Sequence, residues 1–166
     1  KDKRDRALLE WLRSTASRRG EIPYVKINQI NWATGEVMLY GEKTETYRRV
    51  FLDGVALKYI KDYVVSERKQ DLNSGQPLFT HLSGERKLGK GGLYGEVKKI
   101  AYRSGLNRRV YPHLFRKSTA TNVVRRGGTV EDAGCYLGHK GSNVTQRHYI
   151  AQLDSEKVFK QYVAII

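Results

Sequence analysis

The sequence is poor in the residues that several common kinds of site require. It contains one cysteine, Cys135, in 166 residues, which excludes an internal disulfide and a cysteine-rich zinc site. No apolar run approaches the ~20 residues that a membrane-spanning helix needs, and the first residues lack the apolar core of a signal peptide. We therefore expect a cytoplasmic protein that has no membrane partner.

Acidic residues are also scarce relative to basic ones. The chain has 17 Asp and Glu against 31 Lys and Arg, which gives a formal charge of +14, while 39% of its residues are hydrophobic. A foldable chain with this imbalance is typical of proteins that bind a polyanion, most commonly nucleic acid; the alternative is that the charge serves solubility alone. The length suits one domain, residues 1–166.

Hydrophobic periodicity predicts an α+β domain that is mostly α-helical. The first helix carries Leu8, Trp11 and Leu12 at helical spacing. The segments EVMLYG and YRRVFL flank a polar connection and predict a hairpin, which we assign to a small three-stranded antiparallel sheet. Further helices are predicted at 56–64, 93–101, from Pro112 to the Gly127-Gly128 pair, in VEDAGCYLG and in the tail VFKQYVAII.

The helix PHLFRKSTATNVVRRGG places a histidine and an arginine on one face. His113 and Arg116 are three residues apart, and on a helical wheel Arg116 falls between Ala120 and Val123 on an apolar flank. A charge there needs a partner, because unpaired burial is costly. Free backbone N–H groups in the first turns also favour an anion. A phosphate is the natural partner; the alternative is a lone histidine and a solvated arginine.

Two further pairs follow in LGHKGSNVTQRHY, namely Gly138-His139 and His148-Tyr149. Each is weak evidence alone, since Gly138 could simply cap a helix and the chain has eleven tyrosines. In order with HLFRKSTAT, however, they resemble the tyrosine recombinases, the lambda-integrase family, whose catalytic domains carry His-x-x-Arg, Leu-Gly-His and a nucleophilic tyrosine. The interval from His139 to Tyr149 is one residue longer than usual, and we expect the loop KGSNV to absorb it.

The resemblance extends upstream to nearly the whole chain. The family places its first arginine in Thr-Gly-Leu-Arg-x-[Ser/Gly]-Glu, and TASRRGE offers Arg18 with Glu21, with Arg19 as the neighbouring alternative. Ala16 and Ser17 depart from the usual Gly-Leu. Lys43 in YGEKTETYRR matches the family's hairpin lysine, one residue later than usual. The resemblance implies a tyrosine-recombinase catalytic domain with the DNA breaking-rejoining fold.

The resemblance also implies a catalytic set and a mechanism. Two arginines clamp the nonbridging oxygens of a phosphodiester, the tyrosine attacks the phosphorus, a histidine orients the site or accepts the tyrosine's proton, and the lysine protonates the departing 5′-hydroxyl. The product is a 3′-phosphotyrosyl DNA intermediate that keeps the bond energy, so neither ATP, a metal nor another cofactor is required. The set comprises Arg18, Lys43, His113, Arg116, His139 and Tyr149, with Glu21 in support.

Other basic residues are predicted to contact DNA phosphates. Three lie in the Gly-rich segment GERKLGKGG, for which a solvated loop is the alternative. This segment nearly fits the ATPase motif Gly-x4-Gly-Lys-[Ser/Thr], but Gly91 replaces the hydroxyl residue that would hold magnesium, which argues against an ATPase. The predicted contacts are Arg19, Arg86, Lys87, Lys90, Lys117 and Lys140.

The implied partners are double-stranded DNA with a recombination site, further copies of this chain in a tetramer on DNA, and accessory DNA-bending proteins. The resemblance favours an integrase of a phage or other mobile element, in the bacterial cytosol near the nucleoid. Family members usually carry an N-terminal core-binding domain, which nothing here matches. Residues 150–166 are expected to dock on a neighbouring protomer or to pack on their own core. A type IB topoisomerase and a catalytically silent DNA-binding regulator are the alternatives.

Overall fold

Over the described residues, the fold is built from α-helices and one β-hairpin. The structure is a computed structural model and describes residues 2–42, 45–81, 86–138 and 156–164. This architecture confirms the predicted α+β, mostly helical class. In chain order the elements are α1 (Asp2–Thr15), β1 (Glu36–Gly41), β2 (Thr46–Phe51), α2 (Gly54–Asp62), α3 (Lys90–Arg103), α4 (Pro112–Arg125) and α5 (Val130–Leu137).

The sheet is smaller than the sequence predicts. β1 and β2 pair antiparallel along their whole length, and in the described part of the chain they form a two-stranded sheet, so the expectation of three strands is wrong. The upstream segment instead folds into the 3₁₀ turns Ile22–Tyr24 and Ile27–Gln29. It meets the hairpin through one isolated bridge, between Ile30 and Val37. Pro23 lacks the N–H that a strand ladder needs, which favours a turn there.

The larger core lies between α1, the hairpin, α2 and α3. Leu8, Trp11 and Leu12 of α1 are fully buried in it, as the periodicity predicts. The Trp11 ring packs edge-on against Phe79, with ring centroids 6.1 Å apart. This core therefore fixes the end of α1, from which the chain enters the turn that contains Arg18.

A second, smaller core joins α4, α5 and the C-terminal helical segment, residues 156–163. The Phe159 ring of this segment packs 6.1 Å from the Tyr136 ring and 5.5 Å from the Phe51 ring, measured between centroids. The described part of the tail thus packs on the chain's own core. Docking of residues 150–166 on a neighbouring protomer stays a prediction.

The ends of α4 and α5 follow the sequence signals. α4 begins at Pro112 and is closed by Gly127, whose φ is +90°. α5 is preceded by its N-cap Thr129, whose side chain accepts a hydrogen bond from the Asp132 backbone N–H, and is followed by its C-cap Gly138 in the left-handed conformation. In the described ranges, no helix has the length and apolar character that a membrane crossing requires.

Candidate active site

The turn after α1 places the first predicted arginine. The chain leaves α1 through Ala16, whose φ is +47°, and then folds Arg18 back onto Glu21. The Arg18 backbone N–H donates to Glu21 Oε2 at 2.6 Å, and Arg18 Nη1 donates to Oε1 at 2.8 Å. The neighbouring Arg19 is exposed. Of the two candidate arginines, Arg18 therefore lies in the cluster and Arg19 on the surface.

α4 carries Arg116 into the interior. The side chain lies on the same flank as Val123 and the residue is 3% exposed, which confirms the burial that the helical wheel predicts. Arg116 Nη1 donates to the Ala16 carbonyl at 3.0 Å, and Nη2 donates to the Leu137 carbonyl. Both acceptors are neutral carbonyls, so neither of these hydrogen bonds pairs Arg116 with a negative charge.

A third arginine, Arg48 of β2, belongs to the same cluster, although the predicted catalytic set does not include it. Its Nε and Nη2 donate to the two carboxylate oxygens of Glu21 at 3.1 and 2.8 Å, and its Nη1 donates to the Tyr136 carbonyl at 3.2 Å. The available signal was the pair Arg48-Arg49 inside a predicted strand. Consecutive strand residues point to opposite faces, so one of the two had to point towards the rest of the domain.

All three arginines meet the end of α5. Three consecutive carbonyls accept hydrogen bonds, Tyr136 from Arg48, Leu137 from Arg116 and Gly138 from Arg18. The last carbonyls of a helix have no partner within the helix, and they form the negative end of its dipole. The guanidinium groups and the end of α5 therefore hold each other in place. The next residue in the chain is His139.

The cluster has more positive than negative charge. Burial raises the pKa of Glu21, but the charges and hydrogen bonds of Arg48 and Arg18 outweigh it and hold this pKa below its usual value. Burial, with the charges of Arg48 and Arg18, lowers the pKa of Arg116 to about 9. Buried cations that face other cations are unfavourable, and an entering anion would compensate them. The arrangement is suited to binding a phosphodiester.

His113 lies in the first turn of α4, three residues before Arg116, and is exposed. Burial of part of the ring lowers its pKa, and the positive charges of Arg116, Lys117 and Arg18 lower it further. A lowered pKa keeps the imidazole neutral near pH 7, which is the form that can accept a proton. His113 therefore shares the electrostatic environment of both predicted arginines.

The loop before α3 and the first residue of α3 bring two predicted DNA contacts next to the Arg18 turn. Lys90 forms an ion pair with Glu42 at the end of β1, and its side chain lies beside Gly20. Lys87 Nζ stands 5.1 Å from the centroid of the Tyr24 ring. The predicted contacts that the structure describes, all exposed, are Arg19, Arg86, Lys87, Lys90 and Lys117.

The remaining predicted site residues, Lys43, His139, Lys140 and Tyr149, lie outside the described residues. The hairpin is described up to Glu42 and again from Glu45, and α5 is described through its cap at Gly138. Within those ranges, no group of three or more His, Cys, Asp or Glu side chains is placed to hold a metal ion.

Comparison with known proteins gives the family. Residues 1–156 match the model of the phage integrase family. The tyrosine recombinase XerD of Staphylococcus epidermidis is 28% identical over 162 residues, which cover 96% of this chain and 54% of that protein. XerD of Staphylococcus aureus is 25% identical over an equal length, with the same coverage. The chain thus spans about half the length of the curated relatives it matches.

Solved structures of recombinases share the fold. XerA recombinase matches with a TM-score of 0.75 at 22% identity, over 96% of this chain and 58% of that one. The integrase from mycobacterium phage Brujita gives 0.70 at 13% identity, over 96% and 52%. XerH in a pre-cleavage complex with its difH substrate gives 0.67 at 21%, over 89% and 45%. Since the family model covers nearly all of the sequence, the chain belongs to the phage integrase family.

Proposed function

We propose that this chain is the catalytic domain of a site-specific DNA recombinase, which cleaves and rejoins strands through a 3′-phosphotyrosyl intermediate. The observation that carries the proposal is the buried arginine cluster at the end of α5. It holds Arg18 and Arg116 side by side on fixed carbonyls, with positive charge in excess over Glu21. The solved complexes of XerH with its difH substrate and of the Tn1549 transposon integrase with transposon right end DNA support DNA as the substrate class.

In the proposed reaction the arginines bind the scissile phosphate. Negative charge grows on the nonbridging oxygens as the nucleophile attacks, and donors that are already in position stabilise this charge without reorganising. Arg18 is suited to meet the substrate, because its side chain is 36% exposed. Arg116 is 3% exposed and supplies charge from below the surface.

Two proton transfers complete the proposed step. Tyr149 has an unperturbed pKa of about 10 and gives up its phenolic proton to a base; His113 is in the neutral form that can accept it. The tyrosine oxygen bonds to phosphorus as the bond from phosphorus to the 5′-oxygen breaks. Lys43 donates a proton to that leaving oxygen. Rejoining runs the same transfers in reverse with the 5′-hydroxyl of a partner strand.

The same proposal assigns partners at the level of the whole assembly. We infer that the recombinase works as a tetramer on paired recombination sites and that accessory DNA-bending proteins assist it. We further infer that the chain comes from an integrase of a phage or other mobile element, which acts in the bacterial cytosol at the nucleoid. The surface cations Lys87 and Lys90 support DNA as the main partner, because they flank the Arg18 turn.

Covalent trapping tests the proposed function. The probe is a pool of 5′-labelled, nicked DNA duplexes with randomised sequence next to the nick, so that the short leaving strand diffuses away after cleavage. We expect an SDS-resistant protein–DNA adduct with the wild-type chain and none with Tyr149→Phe. The matched control is Tyr102→Phe. Tyr102 lies in α3 and is 87% exposed, so this variant should form the adduct at the wild-type rate.

The other outcomes separate the alternatives. An adduct in Tyr149→Phe would show that another group is the nucleophile. DNA binding by the wild-type chain without any adduct would favour a catalytically silent regulator. Relaxation of supercoiled plasmid without strand exchange between two sites would favour a type IB topoisomerase.

A further inference from the structure

We propose that Arg48 is a positioning residue for DNA cleavage, which ties the end of α5 and the Arg18 turn to β2. The inference rests on the proposed function and assigns a role to a residue outside the predicted catalytic set. It is argued from the contacts of Arg48 with three separate elements.

Arg48 is the point where these elements meet. It belongs to β2 and pairs with Leu39 of β1, two ladder positions before the end of the hairpin. Through Nε and Nη2 it holds the carboxylate of Glu21, which in turn holds Arg18. Through Nη1 it holds the Tyr136 carbonyl at the end of α5. A displacement of this one side chain would therefore move the hairpin, the Arg18 turn and α5 relative to one another.

Arg48 is placed to position other groups and not to contact DNA. Its side chain is 12% exposed, and its Nε, Nη1 and Nη2 all donate to acceptors within the protein. The end of α5 packs directly on its aliphatic stem: a Cβ at Gly138 would stand 2.9 Å from Arg48 Cδ. Because both the aliphatic stem and the guanidinium group are closely packed, the Arg48 side chain is restricted to one conformation.

The contact with Glu21 gives the role an electrostatic signature. The charged groups that face Glu21 are Arg18 on its own turn, Arg48 on β2 and Arg116 on α4, with Lys90 of α3 beside Gly20. Arg48 is the first of the groups that lower the pKa of Glu21 against the effect of burial. Loss of the Arg48 charge should raise this pKa. Glu21 would then become protonated, and release Arg18, at a higher pH than in the wild type.

The test compares Arg48→Gln with Arg49→Gln. The two residues are adjacent on β2, and both changes remove one positive charge, so non-specific attraction to DNA falls equally. Arg49 points to the other face, where it lies 3.6 Å from a Glu36 oxygen. With the nicked-duplex pool, we expect adduct formation at saturating DNA to slow by about 10- to 100-fold in Arg48→Gln only, the size that a small misplacement of reacting groups produces.

Two further measurements separate positioning from a general loss of stability or of binding. DNA affinity at one salt concentration should be equal in Arg48→Gln and Arg49→Gln. The acid side of the rate–pH profile should move to higher pH in Arg48→Gln and stay in place in Arg48→Lys, which keeps the charge. The rate of Arg48→Lys should remain low, because an ammonium cannot replace the fork that spans Glu21 and the Tyr136 carbonyl.

Equal cleavage rates in Arg48→Gln and Arg49→Gln would overturn the proposal, and so would a rate loss that equals the loss of affinity. If circular dichroism shows that Arg48→Gln does not fold, Arg48→Lys decides the question. A folded Arg48→Lys that cleaves DNA at the wild-type rate overturns the proposal. A folded Arg48→Lys that cleaves DNA slowly and binds it with unchanged affinity supports the proposal. A wild-type chain that forms no adduct contradicts the proposed function and with it this role. A wild-type adduct beside an equally active Arg48→Gln contradicts only the role of Arg48.

Discussion

Among the described residues, two arginines are almost completely buried, and their surroundings differ. Arg4 of α1 is 2% exposed and donates to the carboxylates of Glu96 at 2.5 Å and Asp5 at 3.3 Å. Arg116 of α4 is 3% exposed and donates to two backbone carbonyls. Carboxylates bond directly to Arg4, whereas at Arg116 the attraction of Glu21 is outweighed by burial and by the charges of Arg48 and Arg18. Arg4 is therefore suited to holding the fold together and Arg116 to binding an anion.

The buried charge of Arg116 has a cost that depends on pH. Its pKa falls to about 9 in the folded chain, so the folded state holds this proton less tightly than the unfolded state does. The contribution of Arg116 to the free energy of unfolding is therefore lowest below pH 9. It rises as the pH increases from 9 towards the pKa of this arginine in the unfolded chain. A bound phosphate would compensate the charge at neutral pH. The fold tolerates an unfavourable charge where the proposed substrate binds.

The largest expected effect is the loss of cleavage in Arg116→Gln. Removal of a fixed donor to a developing negative charge slows reactions by about 10²- to 10³-fold, and we expect this fall in the rate of adduct formation at saturating DNA. Arg125→Gln is the matched control, since Arg125 lies exposed in the last turn of the same helix. Equal rates in the two variants would contradict the assignment of Arg116, in contrast to Arg4, to binding of the scissile phosphate.

The second expected effect is on stability, in Arg4→Gln. The change leaves buried carboxylates without their buried cation, and breaking such a pair costs about 3–5 kcal/mol in the free energy of unfolding. Urea denaturation measures this cost. Arg103→Gln is the control, because Arg103 also pairs with Asp5 but has a side chain that is 42% exposed; its cost should be below about 1 kcal/mol. Similar losses would mean that burial of Arg4 adds nothing.

Local patterns predicted most of the helices and part of the cluster. Leu8, Trp11 and Leu12 define α1, and the wheel of α4 already places Arg116 on a buried flank. These features depend on neighbours within one or two helical turns. The third strand was predicted without assigned residues, and the described part of the chain forms a two-stranded sheet. The contact between Arg48 and Tyr136 could not be predicted, since the two residues lie 88 positions apart and no local spacing records such a contact.

A third expected effect concerns affinity and comes from Lys87→Gln and Lys90→Gln. Both side chains are exposed, so each would contribute to DNA binding by neutralising phosphate. Each change should lower the slope of log affinity against log salt concentration by about one, with little change in cleavage rate at saturating DNA. Filter binding at several salt concentrations measures the slope. Lys58→Gln, an exposed change on α2, should leave the slope unaltered; an equal fall would mean that charge alone, and not position, determines binding.

The smallest expected effect tests how closely α5 must fit the cluster, by comparing Gly138→Ala with Gly105→Ala. Both glycines have left-handed backbones, with φ of +64° and +67°, so alanine should cost about 1 kcal/mol of stability at either position. A Cβ at Gly105 meets open space, whereas one at Gly138 stands 2.9 Å from Arg48 Cδ. Thermal melts should therefore show the larger loss in Gly138→Ala, and covalent trapping should show slower cleavage in that variant alone.

The cleavage rates are compared per folded molecule, at a temperature where both variants are folded. Slower cleavage in both variants would show that the backbone strain, and not the Arg48 contact, affects the reaction. Equal wild-type cleavage in both would mean that the end of α5 can shift without moving the arginines, so that any effect of Arg48 comes from its charge.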